Sequence, residues 1–473
     1  MLISNAECLF FHKSIDETNY HLSQLRQDVR IEDGLVTEIG KLPHLKNETV
    51  IDAAGSTLLP GLRDHHVHLA SYAASLNSVP CGPPAIESAT QLIAKLNETS
   101  AGGGDWLRGV NYFESVAGDI DRFWLDEHGP RRPVKIQHRT GRLWILNSRA
   151  MELLNNSNIP RDGRLFDADK LLRARTSLNS QDLSQQIATA SKTLASFGVT
   201  AINDMTPTND LETFKWFAQL QQSGKLRQKV RLSGTAELRF ANDICPSLTV
   251  GEYKIHLHDS GLPEFSELCG AIKTSHATDR NVAIHCVTET ELVFALSALE
   301  ECGVETGDRI EHGSVMPESS LAFIQETGLR VITQPNFVAE RGDAYLCDIH
   351  KNQHSSLYRC ASLLHHNIPL AFGTDLPFGN PDPWMAMSAA ILRETGSGTI
   401  LGSEECLAPE TALACFLGDL DNPGMPCSIK IGDPADLCLL SHPWARARAN
   451  LSRNLVRSTM VNGEFVYQRE VEN

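Results

Sequence analysis

The chain is 473 residues long, 41% hydrophobic and 21% charged, with a formal net charge of -16. That length and apolar content suffice for one large barrel with an appendage, while the acidic balance excludes nucleic acid and anionic membrane as partners. No apolar run approaches the ~20 residues of a membrane helix. The first residues, Met1 to Glu7, lack the basic and apolar regions of a signal peptide, and the twelve cysteines form no CxxC pair or regular spacing. Both are expected of a cytoplasmic protein with reduced thiols.

Residues 1 to about 57 read as short strands. Asp28 to Glu32 alternates, Asp33-Gly34 is a hairpin signal, and Leu35 to Ile39 returns. The same signature recurs near the other end, where Asp436 to Leu440 is an apolar strand and Met460 to Tyr467 forms a hairpin around Asn462-Gly463. Residues 1–57 and 425–473 are therefore expected to build one small β-sandwich that clamps the 58–424 region between them.

Within 58–424 the pattern of strand, loop and helix repeats, as in a parallel α/β sheet. Eight strands are expected: Leu58 to His68, Val199 to Met205, Val230 to Leu238, Tyr253 to His258, Asn281 to His285, Arg309 to His312, Arg330 to Gln334 and Leu370 to Thr374. Helices are expected over Gln181 to Ser196 and Glu289 to Glu301. Eight such strands suggest a closed (β/α)8 TIM-like barrel, whose sites lie at the C-terminal strand ends. Residues about 75–178 exceed a single crossover and are expected to form an inserted lid subdomain after the first strand. It holds Gly102-Gly103-Gly104, read as a turn because no phosphate-cradling lysine follows, and the strand-like Pro133 to Gln137.

The first strand ends in His66-Val67-His68. A period of two puts both imidazoles on one face, half of a transition-metal site; taken singly, such a motif is equally a pair of packed histidines. Later strands supply more. The fourth carries Lys254, His256 and His258 on one face, and an inward lysine is costly unless used. Its head group either snorkels to water or, after reaction with carbon dioxide, becomes a carbamate able to bridge metals. The fifth and sixth strands end in His285 and His312, and the eighth delivers Asp375. Cys286, beside His285, is expected to point away and pack.

This order of residue types resembles the amidohydrolase superfamily, and within it amidohydrolase family 3, the branch containing N-substituted formamide deformylase-like hydrolases. The matching stretches are Pro60 to His68, Arg309-Ile310-Glu311-His312-Gly313, Gly373-Thr374-Asp375-Leu376-Pro377 with Asp382-Pro383-Trp384 and Arg393, and Ile431 to Leu437. The resemblance implies one or two divalent metal ions. His66 and His68 would hold one, His285 and His312 the other. A carbamylated Lys254 would bridge them, and Asp375 would bind metal and accept the proton of the attacking water. Zinc is the default from the ligand types, with iron, manganese or nickel fitting nearly as well. The implied activity is hydrolysis of a C–N amide bond in an N-acyl or N-formyl compound. An ester, phosphoester or cyclic amide is the alternative, as is a catalytically inactive metal-binding regulatory protein.

Departures from the family bear on substrate. Thr140-Gly141-Arg142 stands where relatives usually read Asp-Gly-His, and Asn336 where a histidine is frequent. Arg142 over the mouth could clamp a carboxylate, or equally be a surface or structural arginine. His138 and Arg341 complete the expected substrate-binding group. The expected partner is a small-molecule substrate, with a homodimer as an open option.

Overall fold

Alternating apolar residues open the chain as β1 (Leu2–His12), antiparallel to β2 (His21–Glu32). β2 turns through Asp33-Gly34 into β3 (Leu35–Gly40). Both turn residues have positive φ, 49° and 79°, the geometry whose twist suits a two-residue hairpin. β4 (Val50–Asp52) and β5 (Thr57–Pro60) pair parallel to β1. The expected first strand, Leu58 to His68, is divided at Gly61. Its first half, β5, belongs to the terminal sheet, and β6 (Leu62–Val67) begins the barrel. Gly61 has no room for a side chain, since a Cβ there would lie 2.1 Å from Thr200 Oγ1. The structure, a computed structural model, describes all residues except 14–18, 84, 99–105, 157–158, 167, 169–170, 173–179, 241–244 and 470–473. The triple glycine lies outside the described residues.

Residues Leu69–Ala190 form a compact unit of their own. Its sheet comprises β7 (Val79–Pro80), β8 (Leu107–Tyr112), β9 (Val134–His138), β10 (Leu143–Leu146) and β11 (Arg164–Phe166), in the order β11-β10-β9-β8-β7. Leu92, Leu96, Leu107, Leu125, Val134 and Ile136 fill its core. The Pro133 to Gln137 strand expected from the sequence is β9.

The other unit joins Met1–His68 to Ser191–Asn473. Here β12 (Val199–Asp204), β13 (Lys229–Gly234), β14 (Leu248–His256), β15 (Val282–Cys286), β16 (Arg309–His312), β17 (Arg330–Thr333) and β18 (Leu370–Phe372) continue from β6, each parallel to the next. All eight expected strands are present. The third ends earlier than Leu238, because Ala236–Phe240 coils into a 3-10 turn. The ring closes where Asp375 N donates to His66 O at 2.8 Å and His68 N to Leu376 O at 2.9 Å. Buried Asp64 supports that closure, accepting from Thr374 N at 3.0 Å and Thr374 Oγ1 at 2.6 Å. Helix Glu289–Cys302 starts on a capping box of Thr288 and Glu291. The expected helix 181–196 is Ser180–Ser196.

After a small hairpin of β19 (Gly418–Asp419) and β20 (Asn422–Pro426), the chain returns as β21 (Leu437–Leu440), β22 (Val456–Val461) and β23 (Glu464–Gln468). β21 pairs with β5, so strands from both termini share one sheet, ordered β23-β22-β21-β5-β1-β2-β3 with β4 on β1. Ile3, Val29, Ile31, Leu58, Leu437, Leu439 and Met460 form its core. All twelve cysteines are free, and Cys286 is buried as expected of a packing residue. Among the described residues no helix is long and apolar enough to cross a membrane.

Candidate metal centre

The C-terminal ends of β6, β14, β15, β16 and the segment after β18 bring their polar side chains to one end of the barrel. His66, His68 and Asp375 each offer a donor atom, and these atoms lie within 4.8 Å of one another. Asp375 Oδ1 is 3.2 Å from His68 Nε2 and 3.7 Å from His66 Nε2. The His66 and His312 rings are 4.6 Å apart between centroids, and His312 and His285 are 4.4 Å apart. The five ligand candidates thus form one continuous cluster.

Lys254 is 4% exposed, and its Nζ has no hydrogen-bond partner. Burial pulls this amine down to about 8, against the opposing pull of Glu311. A buried amine without an acceptor is costly, so its place among the ligands fits a group that is modified or neutral when the site is assembled. His66 and His285 are driven well below the usual imidazole range, first by burial and then by neighbouring His and Lys groups. Neutral imidazole is the ligand form. Burial alone would raise the Asp375 carboxyl, but His68, His66 and His312 outweigh it and hold it below the usual carboxylate range. Its Oδ1 makes no well-aligned hydrogen bond, although His68 Nε2 lies only 3.2 Å away. Buried donor atoms that leave one another unsatisfied at such distances fit a divalent ion.

Partners behind the cluster fix which ring nitrogen faces it. His66 Nδ1 meets Glu311 Oε2, His68 Nδ1 lies 3.0 Å from Thr206 Oγ1, and His312 Nδ1 lies 2.7 Å from Gln334 Oε1. In each case Nε2 is left for a ligand role, the arrangement by which outer groups orient metal-binding histidines. Glu311 is itself held by Arg309, which ion-pairs at 2.5 Å, and Arg309 lies 3.7 Å from Glu252. His312 and Asp375 sit at φ of 70° and 55°, left-handed conformations uncommon for residues other than glycine and characteristic of functional sites.

Glu311 is absent from the expected site. Counting alternation back from His312 turns it away, and only the left-handed backbone at His312 lets both neighbours serve the cluster. His256 and His258 were legible on the Lys254 face but unassigned. They group with His285, with donor atoms again within 4.8 Å of one another.

The expected substrate residues fall in both compact units. Arg341, in helix Asn336–Asp348, stacks 4.0 Å over Phe337 and donates to Phe378 O. The Phe378 ring is 5.4 Å from His68, which puts Arg341 beside the cluster. Asn336 donates to Glu340 and to Thr374 O at 3.2 Å, buttressing the turn that carries Asp375. His138 and Arg142 belong to the Leu69–Ala190 unit. Both ring nitrogens of His138 are engaged there, Nδ1 at 2.9 Å from Thr140 Oγ1 and Nε2 at 3.1 Å from Glu114. Arg142 is half-buried just before β10.

The chain is 23% identical to the N-substituted formamide deformylase of Arthrobacter pascens, over 89% of this chain and 90% of that protein. Among solved structures, an uncharacterized metal-dependent hydrolase from Pyrococcus horikoshii superposes with a TM-score of 0.75 at 21% identity, covering 98% of this chain and 99% of the other. One from Pyrococcus furiosus gives 0.71 at 20%, covering 93% and 98%. These likenesses show a shared fold. The model of the amidohydrolase family matches residues 49–467, and the chain belongs to that family.

Proposed function

We propose that this hydrolase cleaves the C–N amide bond of an N-acyl or N-formyl small molecule. His66, His68 and Asp375 would hold one divalent ion, zinc by ligand type, His285 and His312 would take part in holding a second, and Lys254, once carbamylated, would add an anionic oxygen ligand. The observation that carries the reading is the convergence of the His66, His68 and Asp375 donor atoms within 4.8 Å beside a buried lysine amine with no partner. The formamide deformylase relative supports the choice of bond.

A divalent ion in such a site polarises a carbonyl and lowers the pKa of water toward neutrality. The chain's own residues supply the rest. Asp375 takes the proton of the attacking water and returns it to the departing amine nitrogen, so that amide and water become acid and amine. Glu311 and Thr206 hold the His66 and His68 rings in register. Metal analysis of the purified protein, combined with a rate screen on N-formyl amines, N-acyl amino acids, esters and phosphoesters, tests the proposal. Turnover of esters or phosphoesters alone would displace the amide reading, and metal-free protein of full activity would end it.

Glu311→Gln should keep the fold but weaken metal binding by about 10- to 100-fold, the usual consequence of losing a carboxylate behind a ligating histidine. Chelator competition measures it, with circular dichroism as the control for folding. Substrate charge is a further consequence. If Arg142 meets substrate, a carboxylate-bearing N-acyl amino acid should be preferred over its methyl ester by roughly ten- to a hundredfold in kcat/KM, from an Arg–carboxylate contact of about 1.5–3 kcal/mol. Arg142→Ala should erase most of that preference and leave metal content unchanged. Equal rates for acid and ester in the wild type would remove Arg142 from the substrate site.

A further inference from the structure

Beyond the two ligand positions of the proposed function, β14 and β15 present a second group. Lys254, His256 and His258 alternate along β14 and its extension, which places their side chains on one face at successive heights of about 6.6 Å. Lys254 is deepest at 4% exposed; His256 is exposed and His258 half-buried. His258 continues the extended course, with φ -149° and ψ 132°, so the alternation survives past the strand's last ladder residue. In the parallel ladder His256 is the register partner of His285. Adjacent strands are ~4.8 Å apart, which brings these two rings to 4.2 Å between centroids, with His256 and His258 also 4.2 Å apart and His258 and His285 5.6 Å apart. The donor atoms of all three lie within 4.8 Å of one another.

We propose that His256, His258 and His285 form a separate metal site on the solvent side of the barrel end, taking a late first-row divalent ion such as zinc, nickel or copper. The chemistry follows from the donor set. Three imidazoles without a carboxylate disfavour magnesium, calcium and manganese, which prefer oxygen, and suit zinc, nickel and copper. Three protein ligands with a fourth position open to solvent is the coordination of an exchangeable ion, not of a closed structural one. The site shares His285 with the inner position and draws its other two ligands, His256 and His258, from outside it. Its His256 is exposed, whereas His66 is buried, so the outer group is reachable without entry into the cluster.

The test uses the full chain in two backgrounds. His66→Ala/His68→Ala removes the first inner ion's histidines. In that protein one equivalent of Cu2+ should still bind, with an electron paramagnetic resonance spectrum showing several nitrogen ligands. Adding His256→Gln/His258→Gln should remove that equivalent and its spectrum. In the otherwise wild-type chain, His256→Gln/His258→Gln should lower Ni2+ or Zn2+ content at saturation by one equivalent, with folding checked by circular dichroism. Unchanged content and spectrum after the His256→Gln/His258→Gln change would overturn the site in either background, and would show the three rings to be aromatic packing. Failure of the inner centre reads differently: His66→Ala/His68→Ala would then leave metal content intact.

Discussion

Asp375→Asn is expected to lower kcat by about 10²- to 10⁴-fold, the usual cost of removing a positioned proton carrier. The substitution keeps the shape of the side chain, and Asp375 N still donates to His66 O, so the barrel closure should survive. What is lost is a carboxylate that His68, His66 and His312 hold ionised, and with it the group proposed above to carry a proton from water to the leaving amine. Steady-state kinetics on the best substrate from the screen, with metal content measured on the same sample, separates the two jobs of this residue. Loss of rate with metal retained assigns the proton role, whereas loss of both assigns ligation. Full activity in Asp375→Asn would reject the mechanism.

Lys254→Ala is expected to cost about one equivalent of metal and roughly a hundredfold or more in rate. One ion contributes several kcal/mol of charge stabilisation, and each ~1.4 kcal/mol is tenfold. The argument rests on where the amine lies. It is 4% exposed, has no hydrogen-bond partner, and stands on the face of β14 that looks into the cluster. A carbamate there would turn an unsatisfied donor into an anionic oxygen ligand. Wild-type protein loaded with metal in the presence of 13C-labelled carbon dioxide should show a bound carbamate carbon by NMR, and Lys254→Ala should not. An unlabelled lysine in fully metallated, active protein would exclude carbamylation.

Much of this centre was legible in the amino-acid order. A period of two put His66 and His68 together, and short apolar runs each delivered one polar residue at its end, so that His285, His312 and Asp375 fell into place once the eight strands were counted. The barrel was legible for the same reason: buried parallel strands read as apolar runs, and helices of period 3.6 separate them. The division at Gly61 was not interpretable from the sequence, because what leaves no room for a side chain there is Thr200, a residue remote in sequence.

What the sequence by itself determined is which side chains can reach the barrel end, since alternation along a strand is a local property of the backbone. Only the tertiary structure decided which of them meet. Ladder register made His256 the neighbour of His285. The packing of β16 into the barrel brought Glu311 to His66, a residue 245 positions away. The association of β5 with β21 joined the two ends of the chain in one sheet. Each of these depends on contacts between distant segments, whose formation is set by the packing of the whole chain and not by local pattern.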